Sequence, residues 1–162
     1  MGLPCPRNAA GITAPVYPAD EFRSPPSSHP VMDTDEQEIR ALVERWAAAV
    51  HEGDMDGVLA DHAGDVVMFD VPPPHQGVRG LEAYRETWPP FFEWQKRALF
   101  EIVELDVTAG DDVAYAFALL RCAAPEYLEE HPEQRLRLTL GLRKQNGRWV
   151  VAHEHHSFSD AT

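Results

Sequence analysis

The 162-residue sequence is poor in positive charge, in cysteine and in long apolar runs. Lysine and arginine number 14 against 27 aspartates and glutamates, a net charge of −13 with histidine neutral. A chain this acidic repels phosphate backbones and anionic lipid headgroups, which argues against nucleic acid and membrane surfaces as partners. No apolar stretch approaches the roughly 20 residues that a bilayer span needs. Nothing resembles the apolar core of a secretory leader, so the expected location is the cytoplasm. The two cysteines, Cys5 and Cys122, are too few for a disulfide framework and read as free thiols in a reducing compartment. Also missing are a glycine-rich phosphate loop, a nucleophile elbow and a CxxC pair. Nucleotide-driven and redox chemistry therefore find no support, and no cofactor is expected.

Proline is scarce through most of the chain but crowded at its start. Seven of the 14 prolines fall within residues 1–31, at Pro4, Pro6, Pro15, Pro18, Pro25, Pro26 and Pro30, with no apolar periodicity between them. That segment reads as a disordered tail, and residues 32–162 as one domain.

Within the domain, Ile39, Leu42, Val43, Trp46 and Val50 recur at helical spacing over about 35–51, and Gly53 suits the stop. A short helix from the N-cap Asp54 follows, then a strand Val66–Val71 that Pro72, Pro73 and Pro74 end. A third helix starts after Gly80. Pro89 and Pro90 are expected to break it, leaving Phe91, Phe92 and Trp94 on an irregular segment over a cavity mouth. From Leu99 onward the pattern is strand: Leu99–Thr108, Val113–Cys122, Gln134–Lys144, the turn Asn146-Gly147, and a closing strand from Arg148. Helices followed by a strand meander make an α+β domain.

The closing strand, Arg148-Trp149-Val150-Val151-Ala152-His153-Glu154-His155-His156, organises the functional reading. Strict alternation puts Trp149, Val151, His153 and His155 on one face and Glu154 and His156 on the other. A face that begins apolar and ends in two imidazoles is expected to run along the core into a pocket wall. In the preceding strand, Leu136, Leu138, Leu140 and Leu142 share one face and Arg137 and Thr139 the other. The preferred arrangement turns Arg137 and Thr139 toward the pocket, as polar neighbours for the histidines, and leaves the leucines outside for a second subunit to cover.

The helix ending at Gly53-Asp54, the strand ending at Phe69-Asp70, the Gly80-x-x-x-Tyr84 helix start and the Gly147-Arg148-Trp149 hairpin together resemble the nuclear-transport-factor-two-like superfamily. Over about residues 35–159 the likeness is to its SnoaL-like polyketide cyclase and ketosteroid isomerase-like branch. The resemblance implies a cystatin-like α+β barrel: a cone of strongly curved antiparallel sheet wrapped around the helices, enclosing an apolar pocket, usually in a homodimer packed through the outer sheet face. It also implies a general base at Asp70. The two oxyanion donors of the isomerases align with Trp46 and with Thr139. These donate more weakly than the residues they replace, which argues against steroid isomerisation as such.

Three residues are expected to carry chemistry. Asp70 would take a proton from carbon beside a carbonyl, and His153 and His155 would relay or donate one. Trp46, Tyr84, Trp88, Phe92, Arg137 and Thr139 would bind the substrate, with Tyr115 added if its strand face points inward. Asp70 can equally be read as a strand-end carboxylate bonded to backbone, and the histidines as a polar layer of the sheet. The pair His153-x-His155 lacks a clear third ligand, and no metal is expected. The reading is therefore a dimeric protein that binds a small hydrophobic oxygenated molecule and isomerises, cyclises or dehydrates it. The other reading is a binding or assembly module with no chemistry.

Overall fold

The computed structural model describes residues 34–96 and 98–159; the proline-rich segment 1–31, expected as a tail, and Cys5 lie outside them. Helix α1 spans Thr34–Glu52 and buries the expected stripe Ile39, Leu42, Val43, Trp46 and Val50. Each such side chain contributes about 1.5–3 kcal/mol by leaving water. The Asp35 carboxylate ties the start of α1 to the far end of the chain, accepting from the Trp149 indole at 3.0 Å and from Lys144 Nζ at 2.7 Å. Helix α2, Met55–Leu59, is capped by Asp54, whose side chain accepts from the Gly57 amide.

Strand β1 covers His62–Phe69 and so starts four residues before the expected Val66; a two-residue strand β2, Val78–Arg79, pairs with its end. Gly80 then takes φ 86°, a backbone turn other residues resist, and its amide donates to the Val66 carbonyl. That turn aims helix α3, Leu81–Glu86, with Tyr84 fully buried. The two prolines do not leave an irregular segment. Pro89 and Pro90 sit in the first turn of a separate helix α4, Trp88–Gln95, where a missing amide N–H costs nothing. Phe91, Phe92 and Trp94 are therefore helical.

The remaining strands are β3 (Leu99–Ala109), β4 (Val113–Ala123), β5 (Leu136–Gln145) and β6 (Arg148–Ser157), with a short helix α5, Pro125–Glu130, between β4 and β5. The six strands form one curved, unclosed sheet in the order β2-β1-β6-β5-β4-β3. All pairings are antiparallel except β1 with β6, which run parallel.

Two face assignments are corrected. Leu136, Leu138, Leu140 and Leu142 face the helices, all nearly fully buried, and Arg137 and Thr139 are exposed on the outer face. Four leucines gain more from burial than one threonine and one arginine could recover as polar neighbours of a pocket. On β4 the small residues Ala114, Ala116 and Ala118 point inward, and Tyr115 and Phe117 point out, 52% and 43% exposed. Tyr115 is thus not a pocket residue. The alanines leave room for the β5 leucines and for the helices above them.

Candidate functional site

Strand β6 does not alternate strictly. Leu142 pairs with Val151, but the next residue back on β5, Gly141, pairs with His153, so Ala152 is an extra residue: a β-bulge. Gly141 permits it, because a Cβ there would come within 3.3 Å of the His153 Cβ. Beyond the bulge the faces exchange. Trp149 and Val151 are buried before it, Glu154 and His156 after it. His153 and His155 turn to the outer face, against the expectation. There His153 Nδ1 lies 2.9 Å from the Val67 carbonyl, and both rings meet the edge of Phe69.

What enters the interior is a carboxylate with two imidazoles on it. Glu154, with no exposed surface, has Oε1 2.5 Å from His62 Nε2 and accepts there from the Tyr84 hydroxyl at 2.9 Å. Its Oε2 lies 3.1 Å from His156 Nε2, and His156 Nδ1 lies 3.4 Å from Asp70 Oδ1. The Trp46 indole donates to the Tyr84 oxygen at 3.2 Å. One connected series thus runs Asp70, His156, Glu154, then His62 and Tyr84. An irregularity of β1 between His62 and Val67 swings His62 into reach.

The charges follow from this bonding. Burial alone would raise the Glu154 pKa, but the adjacent His62 and the hydrogen bonds from His156 and His62 outweigh it and hold the carboxyl at about 2. Burial alone would lower His156, but Asp70 and Glu154 on its two nitrogens push it up to about 9. Burial, and then the Glu154 charge, push the Tyr84 phenol well above its ordinary value. Burial also pushes the Cys122 thiol up to about 12, helped by the Asp70 charge. At neutral pH the series holds an ionised Glu154, a cationic His156 and a neutral Tyr84, with a neutral Cys122 thiol nearby.

Asp70 and His156 open onto a cavity of about 730 Å³. Trp88, Phe91, Trp94, Phe100, Tyr127 and Phe158 supply its aromatic walls, and Cys122 and Leu136 add apolar surface. This volume suits a drug-sized organic molecule. Of the expected binding residues, Trp88 lines the cavity. Trp46 and Tyr84 stand one layer behind it, with the Trp46 ring centre 6.3 Å from that of His156. Phe92 borders a separate, more polar recess with His51 and Gln95. Arg137, on the outer face, donates to the Phe158 carbonyl at 2.6 Å. Strict alternation missed Glu154 and His156, and His62 was missed because the strand was expected to open only at Val66. The available signal was Gly141, a glycine inside a leucine ladder, which marks a bulge or a close backbone approach. Among the described residues, no cluster of three or more His, Cys, Asp or Glu side chains is arranged to hold a metal ion.

Comparison with known proteins agrees with the fold. An NTF2-like protein of unknown function from Pseudomonas putida KT2440 shares 36% identity across 76% of this chain and 85% of its own, with a TM-score of 0.68. A candidate ketosteroid isomerase from Shewanella frigidimarina NCIMB 400 shares 22% identity across 72% of this chain and 92% of its own, at a TM-score of 0.61. A candidate dehydratase of the NTF2-like family from Streptomyces avermitilis shares 15% across 80% and 99%, at 0.63. At those two lower identities the likeness speaks for the fold alone. No functionally curated protein matches the chain in sequence. A model of the SnoaL-like domain matches residues 39–161, which include every residue of the buried series, and the chain belongs to the SnoaL-like family.

Proposed function

We propose that this chain performs acid–base chemistry on a small hydrophobic molecule bearing a carbonyl or related oxygen. Asp70 is the base: it takes a proton from carbon beside the carbonyl, and its carboxylate becomes the acid. His156 is the acid: its Nδ1–H hydrogen-bonds the substrate oxygen as negative charge develops there and can pass its proton to that oxygen. The product is an enol; as Asp70 returns its proton to another atom, in isomerisation, cyclisation or, on a departing hydroxyl, loss of water, the carbonyl re-forms and the enol O–H proton goes back to Nδ1 of His156. The observation that carries the reading is the placement of Asp70 and His156 side by side in the wall of an aromatic cavity. Their 3.4 Å separation is loose enough for a substrate oxygen to compete for the Nδ1 proton.

The test is hydrogen–deuterium exchange beside the carbonyl in cyclic ketones such as 1-tetralone, followed by mass spectrometry in heavy water. Wild-type protein is expected to accelerate exchange. Asp70→Asn is expected to lower that rate by about 10²-fold or more, with ketone affinity, read from tryptophan fluorescence, nearly unchanged. Binding without exchange in the wild type favours the second reading, a ligand-binding module. One contact supports that reading: the Asp70 carboxylate already accepts from the Val71 amide at 2.7 Å, as a strand-end aspartate does.

A homodimer packed through the outer sheet face belongs to the same proposal. The apolar surface to be covered is not the leucine ladder, which is internal, but Tyr115, Phe117 and Phe69. Phe117, Thr139, His155 and Phe69 follow one another in register across four strands of that face.

A further inference from the structure

Behind the cavity wall two histidines share one carboxylate, and they are not equivalent. His156 presents both ring nitrogens to acidic oxygens, Nε2 to Glu154 and Nδ1 to Asp70. His62 presents only Nε2, to Oε1 of Glu154, while its Nδ1 is buried without a hydrogen-bond partner. A bare ring nitrogen facing a carboxylate would set lone pair against lone pair, so both nitrogens of His156 carry protons. A charge on His62 would add to the attraction that lowers Glu154, but at its other nitrogen the economy runs the other way. A protonated Nδ1 would be a buried donor with nothing to receive it, and on a charged ring, whereas an unprotonated Nδ1 leaves only a weak acceptor unused. The ring of His62 stacks on Tyr84, centres 4.5 Å apart and planes 27° apart, which fixes its orientation.

We propose that His62 is a positioning residue of the site: as the neutral Nε2–H tautomer it clamps Oε1 of Glu154 together with Tyr84, and so leaves Oε2 and the carboxylate charge to His156, the single imidazolium of the series. This rests on the reading of His156 as the acid. Without the clamp, Oε1 keeps only Tyr84 and more of the carboxylate charge falls on His156, so the acid at the cavity wall would hold its proton too tightly to pass it on. The other groups around His156 are consistent with this assignment. Asp70 meets it from the end of β1, Glu154 from its own strand, and the uncharged Trp46 ring from α1, while the Cys122 thiol of β4 lines the same cavity in its protonated form.

Long-range proton–nitrogen NMR spectra of the ligand-free protein at pH 7 read both rings directly, with assignments from His62→Gln and His156→Gln. The expected result is one protonated nitrogen, Nε2, on His62 and two on His156. Two protonated nitrogens on His62, or a bare nitrogen on His156, overturn the proposal. The titration of His156 provides an independent check. Glutamine at position 62 offers Glu154 a neutral N–H in the same place, so the His156 midpoint is expected to stay within a few tenths of a unit. His62→Leu removes that N–H, leaves Oε1 less satisfied, and is expected to raise the midpoint by about one pH unit. A comparable rise in both variants means that His62 carried a positive charge and sinks the assignment. If His62→Leu fails to fold, the wild-type spectra and His62→Gln decide the matter. None of these measurements uses a substrate, so their failure is distinguishable from an absence of ketone exchange or from its survival in Asp70→Asn.

Discussion

Moving a lone Glu154 carboxylate out of water would cost several kcal/mol, and the fold offsets this with three hydrogen-bonding partners, one of them the cationic His156. The arrangement makes stability depend on pH in a definite direction. His156 holds its proton to about pH 9 when folded, against an ordinary value of 6.5. Its contribution is therefore fully present below pH 6.5 and is lost as pH rises through about 9. Glu154 works in the opposite sense: its contribution is present above its ordinary value of 4.5 and is lost as pH falls through about 2. Both contributions are in force between pH 4.5 and 6.5. Thermal unfolding at stepped pH is expected to give its highest Tm in that window, with an alkaline decline worth on the order of 3 kcal/mol by pH 9. His156→Gln is expected to flatten that decline. A wild-type Tm that holds level from pH 6 to 9 would mean that His156 is not the buried cation described.

At the level of elements, the sequence was legible wherever packing follows a fixed period. The α1 stripe, the leucine ladder of β5 and the Asn146-Gly147 turn all read correctly as elements, because an apolar face must be buried and its spacing names the element. The order of motifs was enough to suggest the family. The site was less legible, for local reasons. A two-residue period cannot foresee one extra residue, so Ala152 sent His153 and His155 out and brought Glu154 and His156 in. The face of β5 could not be read from β5 alone, since it depends on what lies across from it: the small Ala114, Ala116 and Ala118. Proline is a helix breaker inside a helix but not in its first turn, and only the start of α4 at Trp88 distinguishes the two cases. Asp70, expected as a base, lines the cavity, and its place depends on no count across the bulge. The bulge also makes a prediction. Gly141→Val places branched carbon where even a Cβ would stand 3.3 Å from that of His153, so it is expected to destabilise by about 1–3 kcal/mol in urea unfolding. It should also broaden or shift the His156 resonances, because β6 carries both rings. A neutral effect on both would show that β6 can relax away from β5 without disturbing the interior.

For the molecule as a whole, the outer sheet face presents large apolar side chains that a lone copy leaves wet. Val113 is 63% exposed, beside Tyr115 and Phe117. If two copies meet there, Tyr115→Lys combined with Phe117→Lys is expected to turn a dimer into a monomer in sedimentation velocity, while the internal leucines keep each copy folded. A wild-type protein that sediments as a monomer at micromolar concentration would remove this assembly from consideration.

The parallel pairing of β1 with β6 has a bearing on how the protein comes into being. Strand β6 is made after both of its neighbours in the sheet and is inserted between them, β1 on one side and β5 on the other. Until it arrives, β1–β2 and β3–β4–β5 have no ladder joining them, and neither Glu154 nor His156 exists to meet His62 and Asp70. A nascent chain stalled at Gly147 has all five described helices and the β1–β2 and β3–β4–β5 ladders on either side of an unfilled gap, but lacks Glu154 and His156. The buried series is therefore completed only once β6 has been made.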